Sequence, residues 1–159
     1  MPHQYLESFG DPALSVGPLS VWVHGFEYPL ATDGWDGDWL SITARCIGNG
    51  TSIIATGPFL DTVSFHRLRR ELMPLYEKLE GEATLVSAEP NLRVTFKAAG
   101  TAGQVKVVIA ITPDHARQQH RFFDTIDQSY LRDIQASCSG VLRHFPMRDP
   151  ESRGVEIER

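Results

Sequence analysis

Apolar and polar residues alternate with period two over several stretches of this chain and recur every three or four residues over two others. The clearest alternation is WLSITARCIG at residues 39–48. Leu40, Ile42, Ala44 and Cys46 make one face, and Trp39, Ser41, Thr43 and Arg45 the other. That pattern predicts a strand buried on one side and solvated on the other. Residues 19–28 also alternate, with Leu19, Val21 and Val23 set against Trp22, His24 and Phe26. Both sets are apolar enough to predict a strand at least partly covered on both faces. Gly48-Asn49-Gly50 is a turn signal, so residues 51–56 are expected to run back as a hairpin partner. Further strands are predicted over 84–88, 92–97, 104–112 and, from a more polar pattern, 118–124.

The two helical stripes are equally readable. Val63, Phe65, Leu68, Leu72, Leu75, Tyr76 and Leu79 predict a helix over about 62–79. Asp61 or Thr62 can cap it by accepting from the unpaired N–H groups of its first turn. Pro74 lacks an N–H and crowds the carbonyl of Arg70, which predicts a kink or break near Met73. Gly81 is the expected stop. A second helix is predicted over about 128–144, with Asp127 as its N-cap and Pro146 beyond its end. The strands come in groups rather than alternating one-for-one with helices, which favours an antiparallel α+β architecture over a doubly wound one. The expected fold is a single antiparallel sheet of about six or seven strands with two helices packed on one face. Residues 1–18 read as an irregular lead-in, 19–147 as one α+β domain and 148–159 as a flexible charged tail. No internal repeat or linker is visible.

Composition narrows the function. A chain of 159 residues suits one domain with its own core. The net charge of −5 and pI near 5.6 argue against a nucleic-acid binder. Cys46 and Cys138 sit in apolar patterns without metal-binding spacing and read as buried thiols in a reducing compartment. The N-terminus has neither the basic nor the apolar region of a signal peptide, and no apolar run approaches the roughly 20 residues of a membrane span. A cytoplasmic location is expected. There is no G-x-S-x-G, no phosphate-cradling glycine loop and no H-E-x-x-H. The sequence shows no catalytic constellation.

The densest polar cluster is Glu27 with Asp33, Asp36 and Asp38, interrupted by Trp35 and Trp39. Its spacing is wrong for a calcium loop, which needs D-x-D-x-D-G and a distant Glu. Asp38 can instead close the turn into the following strand. The cluster can also form an acidic, aromatic rim for a partner, because Trp makes a strong interface anchor. On that reading Glu27, Asp33, Trp35, Asp36 and Asp38 are the candidate partner-binding residues. Two other readings stay open. One is a small enzyme or ligand-binding domain with a pocket between sheet and helices, where Arg45, His24 and His120 would converge. The other is an adaptor that pairs through an open sheet edge.

Three segments resemble the WapI-type immunity family of bacterial toxin–immunity systems. They are G-F-E-Y-P…D-G-D-W-L within residues 25–40, Ala88-Glu89-Pro90-Asn91-Leu92, and Asp127-Gln128-Ser129-Tyr130-Leu131 leading to Phe145-Pro146. The resemblance covers roughly residues 19–147. It implies a small cytoplasmic bacterial protein that binds and neutralises a cognate toxin domain, without catalysis or cofactor. The matched residues also suit structural roles. Pro90 forces an extended conformation on Glu89, and Asp38 and Asp127 fit turns and caps.

Overall fold

The computed structural model describes residues 4–150 and 154. Its elements are α1 (Gln4–Glu7), β1 (Leu14–Val16), β2 (Leu19–Phe26), α2 (Gly34–Gly37), β3 (Trp39–Gly48), β4 (Thr51–Asp61), α3 (Thr62–Lys78), β5 (Glu82–Val86), β6 (Leu92–Ala98), β7 (Gln104–Ile111), β8 (Arg121–Asp127) and α4 (Tyr130–His144). The strands form two four-stranded antiparallel sheets, in the orders β1-β2-β3-β4 and β5-β6-β7-β8. This overturns the expected single sheet of six or seven strands with two helices. Turn chemistry identifies hairpin neighbours only. It does not say whether strands on either side of a helix pair with each other. Here α3 separates β4 from β5, and each group of four closes its own ladder. Topologically the chain runs ββββα twice, a repeat that left no readable trace in the sequence.

Both sheets and both long helices contribute to one core. The inward positions of the first sheet include Leu14, Leu19, Val21, Leu40, Ile42 and Leu60. The second contributes Leu85, Leu92, Val94, Phe96, Val107 and Ile109. Phe65, Leu68, Leu72 and Leu75 of α3 and Leu131, Ile134, Cys138 and Val141 of α4 fill the space between. The two helices pack on each other, α3 also lies against β5, and α4 reaches β1 and β8. The helical stripes read from the sequence are thus the buried and half-buried faces, except that Tyr130 at the start of α4 points outward. Truncating a wholly buried leucine in such a core costs roughly 2–5 kcal/mol.

Local differences from the sequence reading have local causes. Within the expected lead-in, residues 4–7 form a helical turn and 14–16 a short edge strand; residues 1–3 lie outside the described ones. Phe9 covers the outer face of the first sheet, with its ring 4.6 Å from that of His24 and 6.1 Å from that of Trp22. Trp22 Nε1 donates to the Gly10 carbonyl at 3.0 Å. This cover explains why an outward-facing tryptophan is buried. Pro74 does not break α3, which continues to Lys78. One missing N–H near the helix end is outweighed by Leu72 and Leu75, both buried on either side of it. The helix stops at Leu79, whose N–H makes the last helical bond to Leu75 O and whose left-handed conformation (φ 53°) turns Glu80 N–H back to Pro74 O. Asp127 sits two positions before the α4 cap, Ser129, and accepts from Ser129 N at 2.9 Å. Strand β8 begins at Arg121 rather than Gln118, since the polar residues before it stay in the connection.

Candidate functional site

The residues between β2 and β3 leave the sheet as Glu27-Tyr28-Pro29-Leu30-Ala31-Thr32-Asp33, turn through the short helix α2, and re-enter at Trp39. Strand pairing brackets both ends. Phe26 pairs with Leu40, and Glu27 N donates to Trp39 O at 2.9 Å. Asp33 starts the helical turn by accepting from Asp36 N at 2.8 Å. The connection carries three exposed apolar side chains: Tyr28 (50 %), Leu30 (94 %) and Trp35 (66 %). Trp35 and Trp39 border a surface groove of about 280 Å³ whose other walls include Val63, Ser64 and Arg67 of α3 and residues 86–88 at the end of β5.

The five residues singled out from the sequence take different places in this arrangement. Asp33, Trp35 and Asp36 are exposed, and Glu27 is half-buried where it accepts from the Ser41 hydroxyl. Asp38 is wholly buried (0 %) and does not belong on an exposed rim. Its Oδ1 accepts from Arg148 N at 2.8 Å, and its carbonyl accepts from Thr62 N at 3.0 Å. It ties the start of β3 to the start of α3 and to the segment after α4. Tyr28, read as the end of a strand over 19–28, and Leu30, an apolar residue in a predicted loop, were not among the candidate binding residues. Nor was Arg148, which had been assigned to a flexible tail from residue 148 onward. Residues 151–153 and 155–159 of that tail lie outside the described ones. Arg148 itself is fastened: its Nη1 lies 3.0, 2.9 and 2.7 Å from the carbonyls of Tyr28, Pro29 and Ala31.

A family model, that of the immunity protein WapI-like family, matches residues 14–146. The chain belongs to that family. No curated protein matches it. Among solved structures, WHY1 from Arabidopsis thaliana aligns at 10 % identity and TM-score 0.43, covering 83 % of this chain and 87 % of that one. The plant transcriptional regulator PBF-2 aligns at 7 % identity and TM-score 0.46, covering 89 % and 83 %. Likenesses this distant carry no argument.

The segments that resemble WapI-type sequences do structural work in this WapI-like protein. Phe26 of the first meets Phe145 of the third edge-on, with ring centroids 5.5 Å apart. Asn91 of the second is buried and donates from Nδ2 to Thr112 O at 2.9 Å, joining the start of β6 to the end of β7. Gln128 of the third donates to Tyr76 O and so links α4 to α3. Hydrogen bonds from Ser129 hold the Asp127 carboxyl below its ordinary value.

The other candidate chemistry does not assemble. His24 and Arg45 lie on the first sheet, whereas His120 precedes β8 of the second. His24 Nε2 bonds Thr43 Oγ1 at 2.8 Å, and His120 Nε2 contacts Gln118. Burial pushes the Cys46 thiol up to about 11, with Asp124 adding to it, and burial pushes the Cys138 thiol up to about 12. Both are protonated and wholly buried at neutral pH, the opposite of an activated nucleophile. Among the described residues no three His, Cys, Asp or Glu side chains converge to hold a metal ion. No described helix is long and apolar enough to cross a membrane. A second groove of about 430 Å³ lies where β1, β8 and α4 meet, with Tyr130, Asp127 and Asp133 among its lining residues.

Proposed function

We propose that this WapI-like protein is a non-catalytic bacterial immunity protein that binds a cognate toxin domain in the cytoplasm through the connection between β2 and β3. The observation that carries the reading is the exposure of Tyr28, Leu30 and Trp35 together on one connection that the fold holds in place. Large exposed apolar side chains are the usual anchors of a protein interface, and they are most effective on a backbone that is already ordered. Asp33 and Asp36 flank Trp35 and supply negative charge that would speed encounter with a basic toxin surface. Filling of the space between sheets and helices by apolar side chains favours a binding surface over an internal substrate pocket.

The test is a titration of the toxin domain encoded beside this gene with the full chain, followed by calorimetry and by a toxicity-rescue assay in cells. Tight one-to-one binding that weakens in Trp35→Ala without loss of thermal stability supports the reading. Rescue and affinity left intact in a Leu30→Ala/Trp35→Ala double variant would move the interface elsewhere, with the Tyr130 groove as the next surface to test.

A further inference from the structure

We infer that Arg148 is the positioning residue of this interface: a clamp contributed by the segment after α4 that holds the β2–β3 connection in its binding-competent shape. The inference rests on the docking role proposed for that connection. Three features of one residue support it. Its Nη1 shares its two N–H groups among the carbonyls of Tyr28, Pro29 and Ala31, at 2.7–3.0 Å. Its guanidinium carbon lies 3.9 Å from the centroid of the Phe26 ring, so the cation stacks on the last residue of β2. Its backbone N–H is received by the buried carboxylate of Asp38, the residue just before β3. Arg148 therefore touches the connection at its entry, its crest and its exit.

The surroundings are shaped for it. Phe26 also meets, edge-on, the ring of Phe145, three residues before Arg148. Gly37, the last residue of α2, leaves the room that the arginine stem needs. A Cβ there would lie 2.8 Å from Arg148 Cδ and 3.4 Å from the Ala31 carbonyl. The carbonyls of Tyr28, Pro29 and Ala31 belong to a segment outside the strand ladder, where Tyr28 O also accepts from Ala31 N at 3.1 Å. Supplying donors from a distant part of the chain fixes the segment while Tyr28, Leu30 and Trp35 stay exposed on it. Arginine suits the task because one planar cation can donate in several directions and stack on an aromatic ring at once. Lysine offers the charge and the donors without the planar stack.

If only the clamped conformer binds, loosening the clamp lowers the apparent affinity by the fraction of molecules left competent, and the loss falls on association rather than dissociation. The experiment compares the full chain with Arg148→Ala, Arg148→Lys and Gly37→Ala, using Trp35→Ala as the reference for the docking surface. Backbone hydrogen exchange is read at residues 28–37, with β3 residues 42–46 as the internal standard. Association and dissociation rates with the toxin domain are read by surface plasmon resonance, well below the melting temperature. In Arg148→Ala we expect exchange at 28–37 to rise at least roughly tenfold while β3 is unmoved. Association should slow by roughly tenfold with dissociation nearly unchanged. Arg148→Lys should recover part of both. Gly37→Ala, which displaces the arginine without removing it, should move both in the same direction. Unchanged exchange at 28–37 in Arg148→Ala overturns the inference. So does unchanged association when Trp35→Ala weakens binding. If Trp35→Ala and Arg148→Ala both bind normally, the docking reading has failed and takes this inference with it.

Discussion

Two long connections leave the sheets of this protein, and they are held in different ways. Residues 112–120, between β7 and β8, are almost entirely polar, and residues 113–119 are all exposed. They organise themselves locally: Asp114 O accepts from Arg117 N and Gln118 N, and its carboxylate accepts from Ala116 N. Only the base is fastened, by Asn91. The β2–β3 connection, residues 27–38, carries exposed tyrosine, leucine and tryptophan and is fastened from more than a hundred residues away by Arg148. A polar loop can be left to water, because disordering it exposes nothing costly. A loop that must keep large apolar side chains in solvent needs an external frame, or those side chains collapse onto the nearest apolar surface. The contrast thus separates a simple connection from a candidate binding element.

The largest expected effect breaks the comparison at its apolar residues. Removing the side chains of Leu30 and Trp35 together should cost about 2–4 kcal/mol of toxin affinity by calorimetry. His115→Ala and Arg117→Ala in the other connection should leave affinity within about 0.5 kcal/mol. Equal losses in both loops would remove the distinction. Next comes the anchor. Asp38→Ala deprives the Arg148 N–H of its acceptor in a buried site and should lower unfolding stability by about 1–3 kcal/mol in urea melts. Asp114→Ala, at an exposed turn, should cost about 0.5 kcal/mol or less.

A smaller effect tests charge. Reversing Asp33 and Asp36 to lysine should slow toxin association several-fold at low ionic strength. The difference should shrink as salt is raised, since exposed charges are screened beyond about 8–10 Å at physiological ionic strength. Rates that ignore salt would remove electrostatic steering from the account. The smallest effect concerns Asp127. Its carboxyl titrates below the ordinary 3.8 because Ser129 bonds the charged form. A group whose folded value is depressed stabilises the fold above its unfolded value and loses that contribution as pH falls through the folded one. Wild type and Asp127→Asn should therefore differ in melting temperature near neutrality and converge only below about pH 4. A constant gap down to pH 2 would show that the carboxylate charge is not what matters there.

Much of the fold was legible for a simple reason. The period-two faces of residues 39–48 and 92–97 and the three-four stripes of both helices are local, and burial follows from them directly. Even so, β1 was missed because three residues give no periodicity, and Pro74 was overweighted because propensity does not count the leucines packed around it. At the candidate site, Trp35 and the aspartates were readable as an acidic, aromatic cluster. Burial of Asp38 was not, because a carboxylate beside a turn looks the same whether its acceptor atoms face water or a backbone N–H 110 positions away.

The amino-acid sequence alone determined the α+β class, the hairpins, the two helical stripes and the family resemblance, because each depends on side-chain order within a short window. Only tertiary structure decided that the strands divide into two sheets. Only tertiary structure joined Arg148 and Phe145 to the β2–β3 connection. Those outcomes depend on which distant surfaces bury each other best, and no local spacing encodes the free energy of contacts between residues far apart in the chain.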